Sequence, residues 1–266
     1  MPTLKVPGAT LYYEQHGTGP LLVAIPGGPS DAGAFASLSA ALADRYTVVA
    51  YDPRGNSRSV LDGAPDDQDL AVHGDDAARL IEAIDAGPAN VLGSSGGAQI
   101  GLALAARHPA RVRLLVAHEP PCVSLLADGD VLLREFERIH ELHRASGVPA
   151  AMAAFARLAG FDQQPPPSNL PPDAAATMAR MTGNIAYFVE HGMRAIAGFR
   201  PDVATLRAVR VVVGVGADSA GQLAHRCARA LAAKLEVDPV TFPGGHTGFL
   251  SHTAEFARAL DATVRS

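Results

Sequence analysis

The sequence has no tryptophan, few aromatic residues of any kind (5%), and only two cysteines, Cys122 and Cys227. Two cysteines in a chain of this length make no disulfide framework, so a stapled secreted scaffold is excluded and a reducing compartment fits best. Positive charge is scarce as well: 22 Lys+Arg stand against 27 Asp+Glu, for a net charge of −5, and no block of like charge occurs. Such a chain carries no electrostatic footprint for nucleic acid or an anionic membrane. Long hydrophobic runs are missing too. No stretch reaches membrane-span length without a charge or a turn residue, and residues 1–19 lack the apolar core of a signal peptide. The expectation is a cytoplasmic protein with no nucleic-acid or membrane partner; its oligomeric state, a homodimer included, stays open.

What is present is enough apolar material for a core. Hydrophobic residues make up 48% and charged ones 18%, which argues against disorder. A chain of 266 residues can form one domain, or a core with an inserted subdomain. Short apolar runs alternate with helical patterns, which predicts an α/β fold with a mostly parallel sheet and helices on both faces. A hairpin is predicted from 3–6 and 10–16 around Pro7-Gly8, followed by strands at 21–25, 47–51, 90–92, 113–117, 210–215 and 237–242. Most are rich in Val, Ile and Leu without alternation, as buried parallel strands should be. Helices are predicted at 31–43, 70–85, 96–107, 219–234 and 254–263.

The rhythm fails once. Between 120 and 201 no strand is convincing; helical patterns at 130–145 and 149–159 lead through a proline-rich turn at 164–172 to more helix at 173–199. Roughly 80 residues far exceed an ordinary strand-to-helix connection. This segment is therefore predicted as a helical cap over the C-terminal edge of the sheet, with 1–119 and 202–266 forming the core.

The most specific motif is Gly93-Ser94-Ser95-Gly96-Gly97, a G-x-S-x-G between the strand at 90–92 and the helix from Gly96. A strand turning sharply into a helix lifts its central serine above the sheet, at a helix N-terminus that favours developing negative charge. Ser95 is thus the candidate nucleophile, and Ser94 is structural. Acyl transfer also needs two donors for the oxyanion. One is the amide of Gly96; the other should come from Pro26-Gly27-Gly28-Pro29, with Gly28 preferred and Gly27 second. Among ten histidines, His246 lies in the glycine-rich loop Pro243-Gly244-Gly245-His246 after the last predicted strand, where a general base is expected. His252 reads as a cap or surface residue, and His140, His143, His191 and His225 as solvated or capping residues of helices.

The acid that should hold the imidazole has two candidates. Asp218, in Gly216-Ala217-Asp218-Ser219, follows the strand that most often carries it, but the usual spacing of three residues after the glycine falls on Ser219. Glu119, in Ala117-His118-Glu119-Pro120-Pro121, sits one strand earlier on a turn stiffened by prolines. Asp52, in Tyr51-Asp52-Pro53-Arg54-Gly55, reads as a structural turn residue.

Taken together these motifs resemble the α/β-hydrolase superfamily over nearly the whole chain. Within it the sequence looks most like the zearalenone lactone hydrolases, at Leu11-Tyr12-Tyr13-Glu14-Gln15-His16-Gly17-Thr18-Gly19-Pro20, at Ser57-Arg58-Ser59 and at His118-Glu119-Pro120. The resemblance implies a glutamate acid after the sixth strand, which matches Glu119, with Ser95 as nucleophile, His246 as base and Gly28 and Gly96 as oxyanion donors. That family carries a cap tryptophan, and this chain has none. The corresponding stretch around 183–192 offers Asn184, Tyr187 and Phe188 as candidate substrate contacts. The expected activity is hydrolysis of a small-molecule ester or lactone through an acyl-enzyme, with no metal or organic cofactor. Alternatives on the same triad are cofactor-free perhydrolysis of the haloperoxidase type and carbon–carbon bond hydrolysis; a non-catalytic binding protein is the alternative from another class.

Overall fold

Runs of β-branched and aliphatic residues become strands where both faces are covered, as in Leu21–Ile25, all of whose residues are buried. The computed structural model describes residues 2–84, 87–161 and 172–266. Its strands are β1 (Thr3–Val6), β2 (Ala9–His16), β3 (Leu21–Ile25), β4 (Thr47–Tyr51), β5 (Val60–Leu61), β6 (Ala89–Ser94), β7 (Val112–His118), β8 (Val211–Gly216) and β9 (Val240–Phe242). They form one sheet in the order β1-β2-β4-β3-β6-β7-β8-β9, with the two-residue β5 paired to β2. Eight strands were predicted and all eight lie along this path; β5 is too short to leave a periodic signal. The pairings of β2 are antiparallel, and those from β4 through β9 are parallel.

From β3 the chain moves to β4 on one side and then returns to β6 on the other. That reversal opens a crevice at the C-terminal ends of β3 and β6, the place where open α/β sheets bind ligands. The loops leaving those two strands are Pro26–Pro29 and the turn at Ser95.

The helices are α1 (Ala36–Leu42), α2 (Leu70–Ile84), α3 (Gly96–Arg107), α4 (Gly129–Ala159), α5 (Pro172–Tyr187), α6 (Met193–Gly198), α7 (Val203–Leu206), α8 (Leu223–Leu235), α9 (Gly248–Ser251) and α10 (Thr253–Arg265). One core cluster packs α2, α3 and α8 on one face of the sheet, and another packs α1, α9 and α10 on the opposite face. A third joins α4, α6 and the turn Phe188–Gly192 to Leu223 and Cys227 of α8. The stretch from Val123 to Gly198 contains no strand among its described residues and forms the helical layer over the crevice.

Several boundaries differ from expectation. The predicted helix at 31–43 begins as a 3-10 turn (Ala32–Phe35) capped by Asp31, which accepts a hydrogen bond from the Gly33 amide. The two helices predicted at 130–145 and 149–159 run on as α4 through a kink, where Gly147 takes φ 80° just before Pro149. The helix predicted from Ser219 starts at Leu223, because residues 217–222 turn back toward the last loop and Asp218 N–H bonds to the Gly244 carbonyl. Asp85, and residues 164–171 of the proline-rich turn, lie outside the described residues. No helix among the described residues is long and apolar enough to cross a membrane.

A buried polar knot ties the N-terminal hairpin to the segment after β4. The Asp52 carboxylate accepts from the Ala32 and Arg58 amides and from the Arg58 guanidinium. Arg58 in turn bonds Glu14 and lies 3.7 Å over the Tyr12 ring, while Ser59 Oγ accepts from the Tyr12 amide. Asp52 is thereby used up structurally.

Candidate active site

The turn from β6 to α3 places Ser95 at φ 56°, ψ −125°, a backbone conformation that costs a residue with a side chain about 1–3 kcal/mol. The surrounding glycines make the turn sterically feasible. A Cβ on Gly93 would lie 2.4 Å from the Gly97 carbonyl oxygen, and one on Gly97 would lie 2.1 Å from the Ile25 carbonyl oxygen. No side chain fits at either position, so the motif's spacing is a packing requirement of this elbow.

The loop after β3 closes on the same point. A Cβ on Gly27 would lie 2.7 Å from Cβ of Ser95 and 2.8 Å from the Gly96 nitrogen, and a Cβ on Gly96 would lie 3.3 Å from the Gly28 nitrogen. The amide nitrogens of Gly28 and Gly96 therefore sit close together beside Ser95. Gly28 has φ 54°, and its carbonyl is held by the Asn56 side-chain amide, which also bonds the Ser30 carbonyl.

At the end of β7, Glu119 also adopts positive φ (50°) and is fully buried. Its Oε2 is 2.7 Å from His246 Nδ1. Its Oε1 accepts from the Gly216 amide at 2.9 Å and from the Ser219 hydroxyl in a short hydrogen bond. Burial by itself would raise this carboxyl, but the hydrogen bond and charge of His246, with the Ser219 and Gly216 donors, outweigh it and hold the pKa at about 2. Asp218 is exposed, and its side chain takes no part in this arrangement. Next to Glu119, the His118 ring is buried edge-on against Phe242 and Phe256 with both nitrogens unpartnered, and burial lowers its pKa to about 4.

Ser95, His246, Gly27, Gly28 and Phe188 line one cavity of about 290 Å³. Five of the nine phenylalanines border it: Phe136, Phe155, Phe161, Phe188 and Phe249. No charged side chain lines it among the described residues. Phe161 lies against the His246 ring, with centroids 5.1 Å apart. A larger hollow of about 490 Å³ between α2, α3 and α6 contains none of these reactive groups. Among the described residues no cluster of His, Cys, Asp or Glu is arranged to hold a metal ion.

Two expected substrate contacts sit elsewhere. Asn184 is buried as a clasp between α5 and the core: it accepts from the Ser57 amide at 2.7 Å and donates to the Pro29 carbonyl and Ser57 Oγ, each at 2.8 Å. One helical turn earlier on α5, Arg180 bonds the buried Asp31 carboxylate. Tyr187 packs on Gly55, where a Cβ would lie 2.4 Å from its ring, and borders a different hollow. Of the three cap candidates only Phe188 reaches the cavity, from the wide turn that separates α5 from α6.

Histidines read as solvated also need correction. His140 is buried, and His225 is largely covered, its Nδ1 lying 3.2 Å from Ser219 Oγ and 3.4 Å from Glu119 Oε1. Neither Ser219 nor His225 was singled out from the sequence. The one available signal was the position of Ser219, three residues after Gly216.

The family model described as alpha/beta hydrolase fold matches residues 20–151. The uncharacterised hydrolase YraK of Bacillus subtilis is 36% identical over 264 residues, spanning 97% of this chain and 93% of that protein. Two solved structures share the fold: a thermophilic esterase from Thermogutta terrifontis (TM-score 0.74, 17% identity, 100% of this chain and 98% of that chain) and the enol-lactonase from Burkholderia xenovorans (TM-score 0.68, 19% identity, 100% of both chains).

Proposed function

Starting from the chain's membership of the α/β-hydrolase family, we propose that this hydrolase cleaves compact, uncharged, apolar esters or lactones through a Ser95 acyl-enzyme. The observation that carries the reading is the junction of two features. A carboxylate-backed imidazole, Glu119 Oε2 to His246 Nδ1 at 2.7 Å, borders the same uncharged cavity as a serine in a strained elbow. The Glu119 bond fixes the tautomer that leaves Nε2 free to take a proton. His246 removes the proton from Ser95 Oγ, a contact that in such sites tightens when substrate binds. Ser95 attacks the carbonyl carbon, and the amides of Gly28 and Gly96 receive the negative charge on its oxygen. Collapse expels the alcohol, which takes its proton from His246. Water then repeats the sequence on the acyl-enzyme and releases the acid.

The cavity sets the substrate class. At about 290 Å³ it lies at the small end of ligand sites. Burying an anionic substrate group among phenylalanines with no cation to pair it would be costly. The carbonyl therefore belongs to a neutral ester or a compact lactone. Lactones are included because a glutamate after β7 is the feature shared with the zearalenone lactone hydrolases that the sequence resembles. The rest of that resemblance lies largely in the Tyr12–Glu14–Arg58–Ser59 knot, which bears on the fold and not on the substrate.

The test is turnover of a panel of nitrophenyl esters and lactones of increasing size by wild type and Ser95→Ala. Neutral short-chain substrates should be cleaved, their dicarboxylate analogues should not, and Ser95→Ala should lose on the order of 10⁴-fold in kcat. Equal rates in the two proteins would remove Ser95 from the mechanism. Preference for anionic substrates would remove the proposed substrate class.

A further inference from the structure

A glutamate has one more rotatable bond than an aspartate, so a triad built on glutamate needs something to hold the far oxygen still. We propose that Ser219 is a positioning residue that does this, anchoring Glu119 Oε1 so that Oε2 stays aimed at His246. The inference rests on the triad reading above.

The hydrogen bonds assign the protons. A serine hydroxyl has one proton to give. Three polar atoms surround Ser219 Oγ: Glu119 Oε1 in the short contact, the Gly216 carbonyl at 3.1 Å and His225 Nδ1 at 3.2 Å. The charged and nearest acceptor takes the proton. The oxygen lone pairs then face His225, whose Nδ1 donates to Ser219 Oγ and lies 3.4 Å from Glu119 Oε1. Glu119 thus has one donor at Oε2, from His246, and two at Oε1, from Gly216 and Ser219. The two donors at Oε1 occupy both of its lone pairs. Rotating the carboxylate away from His246 would break every contact at Oε1 together. Ser219 and Glu119 are both fully buried, so water does not replace a lost donor. Position 219 is also where the spacing from Gly216 calls for the acid itself. The chain therefore uses that position to steer an acid supplied by the neighbouring strand.

The experiment compares Ser219→Ala, His225→Phe and Glu119→Gln with wild type on a nitrophenyl ester. It reads kcat and KM separately, together with the proton NMR resonance of the Glu119–His246 hydrogen bond. Ser219→Ala should lower kcat roughly 10- to 100-fold, the scale of a small misplacement of a reacting group. KM should stay within about twofold and the resonance should shift. His225→Phe should move both readouts in the same direction by less. If Ser219→Ala keeps wild-type kcat and an unmoved resonance while Glu119→Gln loses activity, Ser219 is a bystander and the triad stands. Wild-type kcat in Glu119→Gln would instead overturn the triad reading and this proposal with it. Should Ser219→Ala not fold, His225→Phe carries the test, and wild-type values in both readouts overturn the proposal.

Discussion

The strand ends of the sheet and the helices above them contribute to the site in opposite ways. Below, Ser95, Glu119 and the Gly27-Gly28 loop sit on short turns at strand ends, and around Ser95, at Gly27, Gly93 and Gly97, neighbouring atoms are close enough to forbid even a Cβ. Above, Phe136 and Phe155 come from the long kinked helix α4 and Phe188 from a wide turn, and they offer only apolar bulk. The lower layer fixes positions, and the upper layer fixes volume. Chemistry should therefore be lost by single changes below, while changes above should retune what is accepted.

Glu119→Gln is the strongest way to break that division, and kcat should fall on the order of 10⁴-fold because the imidazole loses both its orientation and its counter-charge. The same variant bears on acid stability. Folding lowers the Glu119 pKa to about 2, so its contribution is complete above the ordinary carboxylate value of 4.5 and is lost as pH falls toward 2. Circular dichroism should show wild type losing more stability than Glu119→Gln across that interval. An equal loss would mean that the buried carboxylate is not the group titrating.

In the cap, Phe155→Ala should change kcat/KM for long against short acyl groups by about 10- to 100-fold in favour of the long, with kcat on the best substrate little altered. A uniform loss on all chain lengths would show the cap acting on the chemistry as well. Asn184→Ala tests the clasp between the layers. Three hydrogen bonds vanish beside the oxyanion loop, so unfolding should cost about 1–3 kcal/mol less and kcat should fall by about tenfold or less. Asp218→Asn gives the smallest expected effect, within about twofold of wild type, since the exposed Asp218 side chain takes no part in the site. A loss approaching that of Glu119→Gln would mean the wrong carboxylate has been assigned to the imidazole.

The division also explains what could be read from the sequence. Residues 21–25 and 93–97 were legible because apolar runs and glycine spacing answer to local sterics, which leave a mark on neighbouring positions. Choosing between Glu119 and Asp218 needed more, because both follow strands and only burial and donor count separate them. Ser219 and His225 were missed because their importance arises across a gap of about a hundred residues, in their contacts with Glu119. In the cap, Tyr187 and Phe188 are adjacent, and only the helical phase set by the Phe188–Gly192 turn sends one onto Gly55 and the other into the cavity. Sequence periodicity alone could not tell that Phe188 would border the cavity and Tyr187 would not.

The positive φ angles at Ser95 and Glu119 differ in what offsets them. Three donors converge on the Glu119 carboxylate, whereas the hydroxyl at Ser95 is proposed to serve a reaction. Thermostability and turnover therefore pull this one position in different directions. Variants ranked by melting temperature alone should place Ser95→Gly above Ser95→Ala, because glycine relaxes the elbow and alanine keeps its Cβ there. Under the proposed mechanism, a stabilisation campaign guided only by heat would settle on a well-folded, silent protein.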